Sequence, residues 1–144
     1  MMLTSEILLN KLKELDVSGG YSEKQLREDM EHAEREVLAL EVCKTQAQLD
    51  ALVSFVLSQG IATLKDSHLL RLLQADWPKS VVVKEWKRWS RDGGTFVHAL
   101  ERRRAWEVVR FYDNSPTLEE VMERLANPHK NKDMEYDDFN DRPY

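Results

Sequence analysis

Cysteine is almost missing from this chain: Cys43 is the single one in 144 residues. No internal disulfide can form, and a reducing, cytoplasmic compartment is the expectation. Glycine and proline are sparse, five and four residues, which excludes collagen-like and low-complexity chains. Long apolar runs are lacking too. The densest cluster, Ala51 to Leu57, falls well short of the ~20 residues that cross a bilayer, so no membrane span is expected. No N-terminal run combines positive charge, a continuous apolar stretch and a small-residue cleavage site, so no secretory leader is expected. Glycine-rich phosphate loops, HExxH, GxSxG and paired-cysteine metal frameworks are all absent from the sequence, which removes the common signatures of nucleotide, zinc and serine-hydrolase chemistry.

What remains is 42% apolar and 33% charged, enough for one well-cored domain and too little for two. The apolar pattern is helical throughout. Ile7, Leu8, Leu12 and Leu15 recur at helix spacing within 4–15. From Ser22, whose hydroxyl with Gln25 forms a capping pattern, Leu26, Met30, Ala33, Val37 and Leu40 make one narrow stripe along a helix expected to reach Cys43. That stripe needs a cover, either other helices of the chain or a second copy in a homodimer. Residues 46–59 are apolar on more than one face and end at Gly60, the mark of a central core helix. A short helix capped by Asp66 or Ser67, one over 80–91, one from Thr95 to Tyr112 and one from Ser115 to about Asn127 complete the reading. The expected fold is an all-α compact bundle of six or seven helices over residues 1–127, followed by a flexible acidic tail over 128–144.

Net charge is -5, but it is unevenly spread. Residues 79–110 carry nine Lys and Arg against four Asp and Glu, and residues 111–144 reverse this with four against nine. The four tryptophans, Trp77, Trp86, Trp89 and Trp106, nearly coincide with the basic segment. Cations beside exposed indoles suit a macromolecular contact or phosphates with stacked bases. Trp86, Trp89, Lys84, Lys87, Arg88, Arg91, Arg102, Arg103 and Arg104 are the candidate contact residues. The bland alternative is that the indoles pack in the core and the cations make a solvated face.

Histidines are scattered, and Glu28, His32 and Glu36 share a helix face more simply read as a charge row. No metal and no cofactor are expected. Glu85-x-Lys87 after Val81-Val82-Val83, with Asp76 upstream, has the acid-x-lysine spacing of metal-dependent nucleases, but that chemistry needs a strand there.

The last twelve residues interleave five acids with three aromatics and end in Arg142-Pro143-Tyr144. This peptide resembles the acidic C-terminal tip of bacterial and phage single-stranded DNA-binding proteins, with a terminal Tyr where that family has Phe. The resemblance implies that Pro143 and Tyr144, with Phe139 nearby, enter an apolar pocket of a partner while Asp137, Asp138 and Asp141 meet its basic rim. The functional expectation is a non-enzymatic interaction or regulatory protein of a bacterial or phage cytoplasm with a protein partner. Two alternatives stand beside it, a single-stranded nucleic-acid binder whose tail recruits replication or repair proteins, and a small metal-dependent nuclease.

Overall fold

The computed structural model describes residues 2–15 and 22–127. The tail residues Asp137, Asp138, Phe139, Asp141, Pro143 and Tyr144 lie outside them. The fold is all-α, with eight helices among the described residues. They are α1 (Glu6–Leu15), α2 (Glu23–Leu38), α3 (Gln46–Gln59), α4 (Ile61–Asp66), α5 (His68–Gln74), α6 (Lys79–Lys87), α7 (His98–Phe111) and α8 (Leu118–Ala126). A two-residue antiparallel hairpin, β1 (Arg91–Asp92) and β2 (Thr95–Phe96), joins α6 to α7.

α3 is the hub because it is apolar nearly all round, and such a helix must be enclosed. Every residue from Leu49 to Val56 is buried. It packs against α7 and α2, with α1 and α4 closing its remaining sides. The α2 stripe of Leu26, Met30, Ala33 and Val37 is buried, so its cover comes from the chain itself. Phe55 anchors the core, edge-on to Trp86 at 6.3 Å and to Trp89 at 5.6 Å, while Phe111 meets the other side of Trp86 at 5.2 Å. Helix starts follow the sequence signals: the hydroxyls of Ser22, Thr45, Ser67 and Thr117 accept from Gln25, Gln48, Leu70 and Glu120 backbone N–H groups.

Four elements differ from expectation. α2 stops at Leu38 rather than Cys43, because the chain turns through Glu41 at φ +58. α4 is a separate helix inserted between α3 and α5. The helix expected over 80–91 closes at Lys87, short of the hairpin that takes Arg91; Val81-Val82-Val83 lies within it as expected, which leaves the nuclease element without its strand. Thr95 sits in the hairpin, and α7 begins after Val97 instead. The eighth helix of the count is α4, against the six or seven expected.

Candidate functional site

Charge buried in a helical core must be paired and hydrogen-bonded or it destabilises the fold. Three buried carboxylates meet that demand here. Glu107, on the inner face of α7, is fully buried. Its Oε1 accepts from Trp86 Nε1 at 2.9 Å, and its Oε2 accepts from Ser54 Oγ at 2.6 Å and Arg104 Nη2 at 2.9 Å. Arg104 Nε lies 2.7 Å from Oε1 without the alignment of a hydrogen bond. Arg103 reaches across to α3, donating from Nη2 to the Ser54 carbonyl at 2.8 Å and from Nε to Ser54 Oγ at 3.2 Å. Burial pulls the Arg103 guanidinium below its ordinary pKa, while the Glu107 charge opposes that fall.

Asp50, one turn earlier on α3, holds a second network. Its Oδ2 accepts from Arg110 Nη2 at 2.8 Å and Nε at 3.0 Å, and from Ser5 Oγ. Its Oδ1 accepts from the Ser5 backbone N–H at 2.8 Å. Burial raises its pKa; the Ser5 and Arg110 hydrogen bonds pull the other way. Glu34 Oε1 accepts the backbone N–H groups of Leu3 and Thr4 at 2.9 and 2.8 Å. Every one of these carboxylates is therefore committed to holding elements together.

Hollows among the described residues include two that open to solvent. The larger, about 390 Å³, lies where α2, α5 and α7 end, and its rim carries Glu41, Lys44, Asp76, Trp77 and Tyr112 over a floor that includes Val82 and Phe111. Trp77 is 51% exposed there. The second hollow, about 310 Å³, lies beside the hairpin and is lined by Lys87, Ser90, Phe96, Glu101, Arg102 and Ala105.

The candidate contact residues divide between core and surface. Trp86 and Arg104 are sealed in the core at 0% exposure, and so cannot belong to an exposed patch. Arg103 and Trp89 are half-buried, and Trp89 Nε1 finds no acceptor among the described residues. Lys84, Lys87, Arg88, Arg91 and Arg102 are exposed. Arg88 pairs with Glu85 at 3.0 Å and Arg91 donates to the Gly94 carbonyl at 3.1 Å. Lys87 and Arg102 come together at the second hollow. Sequence reasoning missed Glu107, Asp50 and Glu34. The signal was available in part: Asp50 sits inside the apolar run Leu49 to Val56, and Glu107 between Trp106 and Val108, where a solvated carboxylate would not be placed.

Among the described residues the geometry is that of an all-α protein whose buried carboxylates are paired within the core and whose surface includes hollows open to solvent. Residues 7–107, from α1 through most of α7, match the phage lysozyme family, and the chain belongs to that family. It is 34% identical over 101 residues to an endolysin of Bacillus phage PZA, a match covering 69% of this chain and 39% of that protein. With an endolysin of Bacillus phage B103 it shares 37% identity over 97 residues, covering 66% of this chain and 36% of that one. The chain spans about two fifths of the length of these relatives. Family membership overturns three expectations: that the body has no recognisable family and only its tip resembles single-stranded DNA-binding proteins, that the protein is a non-enzymatic regulator or nucleic-acid binder, and that it is not of an enzyme family. Among the described residues no helix is long and apolar enough to cross a membrane.

Proposed function

We propose that the protein acts on bacterial peptidoglycan as a lysozyme-type glycosidase, this chain contributing a helical body on which the glycan-cleaving site is built. The observation that carries the reading is the family match over 7–107, which covers the helices that build the Glu107 and Asp50 networks. Endolysin relatives from two Bacillus phages support it. Glycoside hydrolysis uses two carboxyl groups flanking the scissile bond, one an acid and one a nucleophile or base, roughly 5 to 10 Å apart. Glu34, Asp50 and Glu107 do not fit those roles, because each is buried and accepts hydrogen bonds that tie neighbouring elements together. On this reading the catalytic pair is drawn from other carboxylates, and the three buried acids fix the helices that carry the site. The cytoplasm is then the place of synthesis and the wall the place of action.

The test is release of reducing ends from purified peptidoglycan by the full chain, with heat-denatured protein as the blank. New reducing ends that increase with time and enzyme concentration are expected. A folded protein that releases none overturns the reading.

A further inference from the structure

From Arg88 to Arg110 the chain carries six arginines, and five of them have an acceptor inside the fold. Arg88 pairs with Glu85, Arg91 donates to the Gly94 carbonyl, Arg103 to the Ser54 carbonyl, Arg104 to Glu107 and Arg110 to Asp50. Arg102 has none among the described residues, and neither has Lys87. These two cations line the same hollow, the one of about 310 Å³ beside the hairpin. Two like charges facing one concavity with no counter-charge bonded between them repel, so the arrangement does nothing for the fold. Glu101 also lines the hollow, but it stands 3.9 Å from His98 Nδ1 and bonds neither cation.

The hairpin holds the rest of the lining in place. Its two-residue loop has positive φ at both Gly93 and Gly94, +57 and +87, the geometry that matches strand twist in tight hairpins. The Val97 N–H donates to the Ser90 carbonyl at 2.9 Å, and Ser90 Oγ donates to the Lys87 carbonyl at 2.8 Å, tying the base of the hairpin to the end of α6. Phe96 is thereby fixed at the hollow with 41% of its surface exposed, braced edge-on by the His98 ring at 5.0 Å.

The lining suits the parts of one ligand. An exposed phenyl ring attracts the polarised C–H bonds of a sugar, the oxygens of Ser90 and Glu101 can accept from hydroxyl or amide hydrogens, and Lys87 with Arg102 can meet a carboxylate through charge-assisted hydrogen bonds. The volume is at the lower end for ligand sites, which run roughly 300–1,000 Å³, as a single ring requires. Glycoside hydrolysis needs a pair of carboxyl groups across the scissile bond, and Glu101 has no second acid opposite it in this lining, so the hollow binds without cutting. We propose that it is a binding site for a sugar bearing a carboxylate, with Lys87 and Arg102 as the anion-binding pair and Phe96 as the apolar wall. On the lysozyme reading the ligand is an acidic sugar of the wall glycan, and the proposal rests on that reading for the source of the sugar alone.

The test titrates the isotope-labelled full chain and follows the backbone amide resonances of Phe96 and Ala105. N-acetylmuramic acid is the probe. N-acetylglucosamine, the ring without the carboxylate, and sodium lactate, the carboxylate without the ring, are the comparisons at equal ionic strength. Saturable shifts with the acidic sugar are expected, with affinity about tenfold or more weaker for each comparison compound. Arg102→Gln removes the charge from an exposed side chain that bonds nothing in the fold, so affinity should fall about tenfold while the urea midpoint stays where it was. Lys87→Gln should act in the same direction. No saturable shift with the acidic sugar, equal affinity for either comparison compound, or unchanged affinity in Arg102→Gln overturns the proposal. Because no bond is cleaved in these titrations, a chain that binds the acidic sugar yet releases no reducing ends from peptidoglycan would remove the glycosidase reading and leave this site standing.

Discussion

Glu107 shows how much one side chain can hold. Its carboxylate satisfies Trp86, Ser54 and Arg104 together, joining α3, α6 and α7 at a point with no solvent. Glu107→Gln keeps an acceptor for the indole but removes the charge opposite Arg104, a guanidinium at 0% exposure. Breaking one side of a buried pair costs about 3–5 kcal/mol, so urea unfolding followed by tryptophan fluorescence should show a midpoint lowered by that much stability. A loss under 1 kcal/mol would mean that Arg104 finds solvent or another acceptor. Cys43 is the opposite case, a side chain whose chemistry is silenced. Burial, with a lesser push from the Asp50 charge, raises its thiol to about 12. At pH 8 the thiolate fraction should be about a thousandfold below that of an unperturbed cysteine. Iodoacetamide should therefore label it slowly in the native protein and rapidly in denaturant. Equal rates in both states would remove the burial argument.

Among the elements, the helix boundaries show where local physics speaks and where it does not. α3 was legible from a dense apolar run ending at Gly60, and α8 from Ser115-Pro116-Thr117 ahead of Glu120, where Thr117 bonds the Glu120 backbone N–H; the Thr45 hydroxyl that caps α3 was not read from the sequence. α4 was not legible, because Ile61–Asp66 is under two turns and too short to display a period. Trp86 was miscast for a different reason. Composition counts tryptophans but does not orient them, and what draws Trp86 inward is a carboxylate 21 residues further along the chain. Gly60 carries the sharpest local prediction. It ends α3 and starts α4 at φ +91, ψ 153, a conformation essentially reserved for glycine. A Cβ there would meet nothing within 4 Å, so Gly60→Ala isolates the backbone term. Its expected cost is about 1–3 kcal/mol in thermal or urea unfolding, and a neutral result would mean that the α3–α4 junction relaxes to another geometry.

For the molecule as a whole, the segment before α1 behaves as a clasp. Leu3 and Thr4 donate to Glu34 of α2, Ser5 donates to Asp50 of α3, and Arg110 of α7 closes on the same carboxylate. Asp50 thus gathers groups 45 and 60 residues away in sequence, a convergence no local pattern announces. Its raised pKa sets the sign of a pH dependence. Between the unfolded value near 4 and the higher folded value, the folded state keeps a proton that the unfolded chain has lost. Asp50's contribution to stability is therefore greatest below about pH 4 and falls as pH climbs through the folded value. Ser5→Ala deletes the hydroxyl that bonds the ionised carboxylate and leaves the Ser5 backbone bond in place. The folded pKa should rise further, so the variant should lose more stability at pH 7 than at pH 4. Hydrogen bonds to charged groups contribute about 1.5–3 kcal/mol, and a deficit of that order at pH 7, shrinking at pH 4, is the expected pattern in paired urea titrations. A deficit equal at both pH values would show that Ser5 acts through packing instead of through the charge on Asp50.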